Sequence, residues 1–237
     1  MTARRLAAEF IGTALLLLAI VGSGIAASTD GPASAQLFQH ATIVGAALAT
    51  LIVTFGSVSG AHFNPAVSVV DSLFGGLTRR LAAGYVVAQV GGAATGVVLA
   101  NALFGLPAVA IATTHRSGTA LIASEVVATY GLLLVIFGVV RSGRAAAVPA
   151  AVGSWIAAAI YFTSSASFAN PAVTIARLLT DTYTGIAPPA VPGFIGAQVV
   201  GAAAAWLTIR WLFAPGPELA DDIVVPRHDR AETGASR

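Results

Sequence analysis

Two stretches of this sequence echo one another: Gly60-Ala61-His62-Phe63-Asn64-Pro65-Ala66-Val67 and Ser167-Phe168-Ala169-Asn170-Pro171-Ala172-Val173. Each carries Asn-Pro-Ala-Val among apolar residues. Asn is a favoured helix N-cap, because its side-chain oxygen accepts from backbone N–H groups of the first turn. Pro suits the first helical position, where its missing N–H is not needed. Each Asn-Pro-Ala therefore predicts a helix start with an Asn at the positive end of the helix dipole. One copy also begins ordinary helices and turns, whereas two copies, one in each half of an apolar chain, single out Asn64 and Asn170 as a pair. Their amides suit hydrogen bonding to a small polar solute, and they also suit simple capping; the two roles are compatible.

The other polar residues in apolar surroundings also come in pairs. Glu9 and Glu125 are candidate proton-relay acids, as carboxylates within membrane segments are functional candidates by default. They are equally candidates for a structural role, accepting from backbone N–H groups that an irregular loop leaves unpaired; their symmetric placement favours this second role. Gln89 and Gln198 are expected to join helices. His62 is expected either to face the solute path or to make a buried loop contact. Arg177 lies one helical turn after Val173 and shares its face; it either carries positive charge toward a mouth of the path or pairs with Asp181, four residues on.

Composition says what positions these groups. The 237 residues are 57% hydrophobic and 9% charged, with mean hydropathy +0.85, whereas soluble domains average roughly 25% charged residues. Apolar runs of about 20 residues match the length of a membrane-spanning helix. The formal net charge is +2 and the basic side chains are all Arg, scattered in ones and twos, so no nucleic-acid surface is indicated. The absence of Cys excludes disulfides, thiol chemistry and Cys-based metal sites. No nucleophile–base pair or His/carboxylate metal cluster stands out, so an enzyme is not indicated, and no cofactor or metal is expected.

Six spans are predicted, at about Ala7–Ala27, Phe38–Val58, Leu81–Phe104, Leu121–Val140, Ala145–Phe162 and Phe194–Phe213. The first reads as a membrane helix and not as a removed signal peptide. The segments opened by the Asn-Pro-Ala motifs, Ala66–Phe74 and Ala172–Leu179, are too short to cross. Residues 1–214 are expected to form one membrane domain, and the polar stretch 215–237 a disordered cytoplasmic tail. Arg4, Arg5, Arg79, Arg80, Arg141, Arg144 and Arg210 fall on one side of this topology, and Arg116 and Arg177 toward the other, which places both termini in the cytoplasm.

An internal repeat runs through the spans. Ala8-Glu9-Phe10-Ile11-Gly12-Thr13 resembles Ser124-Glu125-Val126-Val127-Ala128-Thr129, and Ala88-Gln89-Val90-Gly91-Gly92-Ala93 resembles Ala197-Gln198-Val199-Val200-Gly201-Ala202. The order Glu, Asn-Pro-Ala, Gln thus occurs twice, over about 5–104 and 118–214. Three spans per half force opposite insertion, an inverted repeat whose working site lies at the interface near the midplane. A half-helix is tolerated there where protein buries it or where it lines water. Gly92 and Gly96 have the small-xxx-small spacing of close helix packing.

These residues resemble the aquaporin and aquaglyceroporin family, the major intrinsic proteins, over about residues 5–214. The resemblance rests on Ser59-Gly60-Ala61-His62-Phe63-Asn64-Pro65-Ala66-Val67, on Asn170-Pro171-Ala172, and on the Glu and Gln repeats. It implies an all-α membrane protein, a right-handed bundle of six tilted helices with two re-entrant half-helices meeting at a pore centre. It also implies a homotetramer with one pore per protomer, and a bacterial inner membrane as its location. Most members carry Arg directly after the second Asn-Pro-Ala; here that position is Val173. The remaining positions of the outer filter, carried over by spacing, are Val44, Ile156 and Ser167, and the loop Ser164–Ala169 is about two residues longer than usual. The run from Asn170 to Arg177 is similar to a bacterial branch associated with arsenic resistance.

Removing a filter Arg removes a fork of donors and widens the constriction. Two half-helix N-termini facing one point repel cations and orient successive waters in opposite senses, which opposes proton hopping. The resulting expectation is a passive channel for water and small neutral solutes, such as glycerol-like polyols and arsenous acid. The alternatives are a water-selective pore and an ion-coupled secondary transporter, which shares inverted repeats and broken helices.

Overall fold

A computed structural model describes residues 2–29 and 31–213, and the regular structure among them is helical. Eight α-helices follow in order: α1 Thr2–Ala27, α2 Ala33–Ser59, α3 Pro65–Phe74, α4 Arg79–Leu103, α5 Thr119–Arg141, α6 Val148–Phe162, α7 Pro171–Ala176 and α8 Val191–Leu212. Six are long and apolar enough to cross a bilayer, with α6 and α8 lengthened by the 3₁₀ turns Ala145–Ala147 and Pro188–Ala190 that lead into them. The stretch 215–237, expected to be a disordered tail, lies outside the described residues.

Several helices begin before the apolar runs do. α1 starts at Thr2 and α2 at Ala33, each about a turn ahead of the predicted span. Hydropathy marks the part of a helix matched to lipid, whereas hydrogen bonding continues through Thr, Arg, Ser and Gln at its ends. α4 starts where the Thr78 side chain accepts from the Leu81 N–H at 3.3 Å. The first half-helix closes at Gly75, whose φ of 90° places it in the left-handed region glycine favours. The second is shorter than predicted: α7 ends at Ala176, and the chain tightens into a 3₁₀ turn over Arg177–Leu179.

α1 packs against α4 and α5 against α8, the same pairing in each half, while α2 and α6 pack across the halves. The α1–α4 approach depends on glycine. A Cβ on Gly92 would collide with the Phe10 carbonyl oxygen, and one on Gly96 with that of Ala14. Helices in lipid gain little from mutual burial of apolar surface, so such close backbone contact supplies the attraction. Phe38, Val53, Val87, Leu103 and Trp211 point outward, as suits a hydrocarbon solvent. The two halves, α1–α4 and α5–α8, form an inverted repeat in which α3 and α7 enter from opposite faces and meet at their N-termini.

Candidate functional site

Asn64 and Asn170 each cap their own half-helix and tie it to the other. The Asn64 Oδ1 accepts from the Ala66 N–H at 2.9 Å, and the Asn170 Oδ1 from the Ala172 and Val173 N–H groups at 2.9 and 3.3 Å. Each amide nitrogen then donates across the centre, Asn64 to the Ala169 carbonyl and Asn170 to the Phe63 carbonyl, both at 2.8 Å. An amide carries two N–H groups, so each Asn keeps one donor beyond these contacts. Pro65 and Pro171 occupy the first helical positions, and Ala66 and Ala172 are buried behind them.

The loops before the two caps are held by the buried carboxylates. Glu9 accepts from the His62 N–H at 3.0 Å, the Phe63 N–H at 2.7 Å, the Ser59 hydroxyl at 2.6 Å and the Gln89 amide at 2.7 Å. Glu125 accepts from the Phe168 N–H at 2.8 Å, the Ala169 N–H at 2.9 Å and the Gln198 amide at 2.7 Å. Gln89 and Gln198 do more than join helices. Each also donates to a hydroxyl on a half-helix, Ser68 and Thr174, at 2.9 and 2.8 Å. With the N–H groups so occupied, Ala61, Phe63, Ala166, Ser167 and Ala169 adopt positive φ, a conformation non-glycine residues avoid unless the surroundings impose it.

A cavity follows the line of the two loops, from His40 and Arg177 at one end to Asp71, Val140 and Val148 at the other. Asn64 and Asn170 lie along it, as do His62, Val44, Ile156, Ser167, Val173 and Arg177. The backbone of Gly60–Phe63 and Ala166–Ala169 borders it as well. Val44, Ile156 and Val173 give this stretch an apolar wall, and Ser167 contributes a buried hydroxyl with no partner among the described residues. His62 lines the cavity, with its Nδ1 3.1 Å from the Ser68 hydroxyl and its Nε2 3.8 Å from Asp71.

The expected Arg177–Asp181 pair does not form. Asp181 accepts from the Thr113 N–H at 2.8 Å and the Thr113 hydroxyl at 2.9 Å. Arg177 lies over the Phe168 ring and donates from Nε to the Thr184 carbonyl. The four-residue spacing puts two side chains together only along a continuing α-helix, and here the helix has ended at Ala176.

Three cavity-lining residues, His40, Asp71 and Phe168, and Arg116, whose guanidinium stands 5.3 Å from the Phe168 ring centre, were not singled out as site residues by the sequence reasoning. His40 stands one turn before Val44 on the same face of α2, and Asp71 two turns after Asn64 on α3, so helical spacing from the motifs points to both. Phe168 and Arg116 had no such signal. The Arg116 Nε and Nη2 donate to the Gly185 and Tyr183 carbonyls at 2.9 and 3.1 Å, and burial lowers its pKa from the ordinary value. No group of three or more His, Asp or Glu side chains positioned to hold a metal ion occurs among the described residues.

A cavity threading two opposed half-helices inside an inverted repeat of six spans defines an integral, multi-pass membrane channel. Residues 1–167 match the model of the Major intrinsic protein family. Aquaglyceroporin AqpS of Rhizobium meliloti (strain 1021) is 47% identical over 213 residues, covering 90% of this chain and 91% of its own. Probable aquaporin AqpM of Archaeoglobus fulgidus is 32% identical, over 86% of this chain and 95% of its own. The fold is also that of the aquaglyceroporin from Plasmodium falciparum, whose X-ray structure superposes with a TM-score of 0.72 at 24% identity over 93% of this chain and 99% of that one. The chain belongs to the major intrinsic protein family.

Proposed function

We propose that this protein is a passive channel for water and small uncharged solutes, among them glycerol-like polyols and arsenous acid. Asn64 and Asn170 hydrogen-bond the solute at the pore centre, and Val44, Ile156, Ser167 and Val173 form the filter. The observation that carries the reading is Val173, which follows the second Asn-Pro-Ala and borders the cavity with no donor to bind solute oxygens. The name of the 47%-identical relative, an aquaglyceroporin, points the same way. Residues 1–214 then form the channel unit, a homotetramer in a bacterial inner membrane with both termini and the 215–237 tail in the cytoplasm; the one-sided Arg distribution supports that orientation.

Arg177 favours a second reading. Its guanidinium borders the cavity one turn beyond Val173 and would narrow the path toward a water-selective pore. An ion-coupled transporter is disfavoured, because Glu9 and Glu125 are occupied by fixed loop donors. Stopped-flow light scattering on reconstituted vesicles separates these readings. Rapid shrinkage in sucrose followed by rapid re-swelling in glycerol, with arsenite entry, is the expected result. Water flux without solute entry assigns the constriction to Arg177, and accumulation driven by a sodium or proton gradient overturns the channel.

A further inference from the structure

The cavity end formed by His40, Phe168 and Arg177 carries charge that the passage of neutral solutes does not need. Arg177 is only 4% exposed. Its one hydrogen bond runs from Nε to the Thr184 carbonyl, so the two Nη groups are left without a partner, and no carboxylate lies within 4.0 Å among the described residues. Its Cζ stands 3.5 Å from the centre of the Phe168 ring, so the guanidinium is held over that ring. The Arg116 Cζ lies 5.3 Å from the centre of that same ring, and its contacts are to carbonyls alone. Two positive charges therefore share one aromatic ring; Glu125, whose carboxylate accepts from the Phe168 N–H, is occupied by backbone and amide donors and makes no salt bridge with either among the described residues.

A third group completes this end. The His40 Nδ1 lies 2.8 Å from the Ser23 hydroxyl, which also donates to the Ile20 carbonyl. Nε2 is thus the ring nitrogen with no partner among the described residues. The His40 ring packs edge-on against Tyr183, 5.9 Å between centres, next to the Thr184 whose carbonyl holds Arg177. The same short segment therefore positions both side chains.

We propose that this end of the cavity binds a small planar carboxylate. Burying an unpaired charge is costly, and an ion whose two oxygens match the guanidinium fork offsets that cost with two charge-assisted hydrogen bonds. Arg116, 5.3 Å from the centre of the same ring, adds attraction, and the His40 ring walls the site. Further in, Val44, Ile156 and Val173 offer no polar side chain to replace the anion's hydration. The carboxylate is held at the mouth and not conducted, and it competes there with neutral solutes. The site stands whatever the range of solutes that cross the filter.

The test is a binding measurement on the full chain in neutral phosphatidylcholine nanodiscs, reading the ¹⁹F line width of fluoroacetate. Saturable broadening is expected, reversed by acetate and not by equal concentrations of chloride. Arg177→Lys keeps the charge and loses the fork, and is expected to bind about fivefold or more weakly. Broadening that does not saturate, displacement by chloride as effective as by acetate, or full affinity in Arg177→Lys each overturns the site.

Discussion

Asn64 and Asn170 each donate to the last carbonyl of the other's loop, Asn64 to Ala169 and Asn170 to Phe63, both at 2.8 Å. The two halves of the chain are thereby locked at one point by reciprocal bonds between residues more than a hundred positions apart. Replacing either Asn with Ala removes a cap and leaves a buried carbonyl unpaired, at about 1–3 kcal/mol each. Because both bonds hold the same junction, the double variant is expected to lose less than the sum of the single losses, with a coupling of about 0.5 kcal/mol or more. Unfolding of the detergent-solubilised variants in a double-mutant cycle measures it; strict additivity would show that the junction is not shared.

The carboxylates invite an asymmetric prediction. Glu9 takes four donors and Glu125 three, the extra one being the Ser59 hydroxyl at 2.6 Å. Glu9→Ala is therefore expected to destabilise more than Glu125→Ala, by about 1 kcal/mol. Thermal melts of the two variants decide the order, and an inverted order counts against hydrogen-bond number as the cause.

The sequence revealed most about groups whose role depends on chain position. Asn64 and Asn170 declare themselves as caps because Pro follows each, and Glu9, Gln89, Glu125 and Gln198 because they recur in order around the caps. Each of these inferences needs only helix geometry and symmetry. Arg177 was harder to place, since its direction depends on whether α7 continues past Ala176, and no residue there marks the change to a 3₁₀ turn. Phe168 and Arg116 were not legible at all, because they meet only after the Gly105–Gly118 loop folds back over the Tyr183–Gly185 segment. His40 and Asp71 fall between these cases: helical spacing from the motifs reaches both, but nothing in the sequence ranks them above other polar residues.

Gly96 sets the distance between α1 and α4, with its Cα facing the Ala14 carbonyl and the Leu17 side chain. Gly96→Val is expected to separate the two helices. Since α1 carries Glu9 and α4 carries Gln89, the separation should also loosen the loop they hold. The variant should be recovered at a small fraction of the wild-type yield, or melt well below it, with a loss of about 3 kcal/mol or more from overpacking against backbone. Gly91→Ala, five residues earlier on α4 and facing only the Phe10 ring at 3.4 Å, is the control and should be close to neutral. Equal behaviour of the two variants would remove the argument from close approach.

Val173→Arg tests the filter directly. Position 173 is 3% exposed and borders the cavity between Asn170 and Arg177. An Arg there fills space that a Val leaves open and brings a second guanidinium to the cavity four residues from Arg177. Glycerol, wider than water, should lose about tenfold in permeability, equivalent to about 1.4 kcal/mol of barrier, while water loses much less. The added charge should also oppose cation leak, because it reinforces the positive potential of the half-helix N-termini. Stopped-flow flux of both solutes in the same vesicle preparation gives the ratio. A glycerol-to-water ratio equal to that of the wild type would move the constriction away from Val173, and the next position to replace would be Ile156, on the facing helix α6.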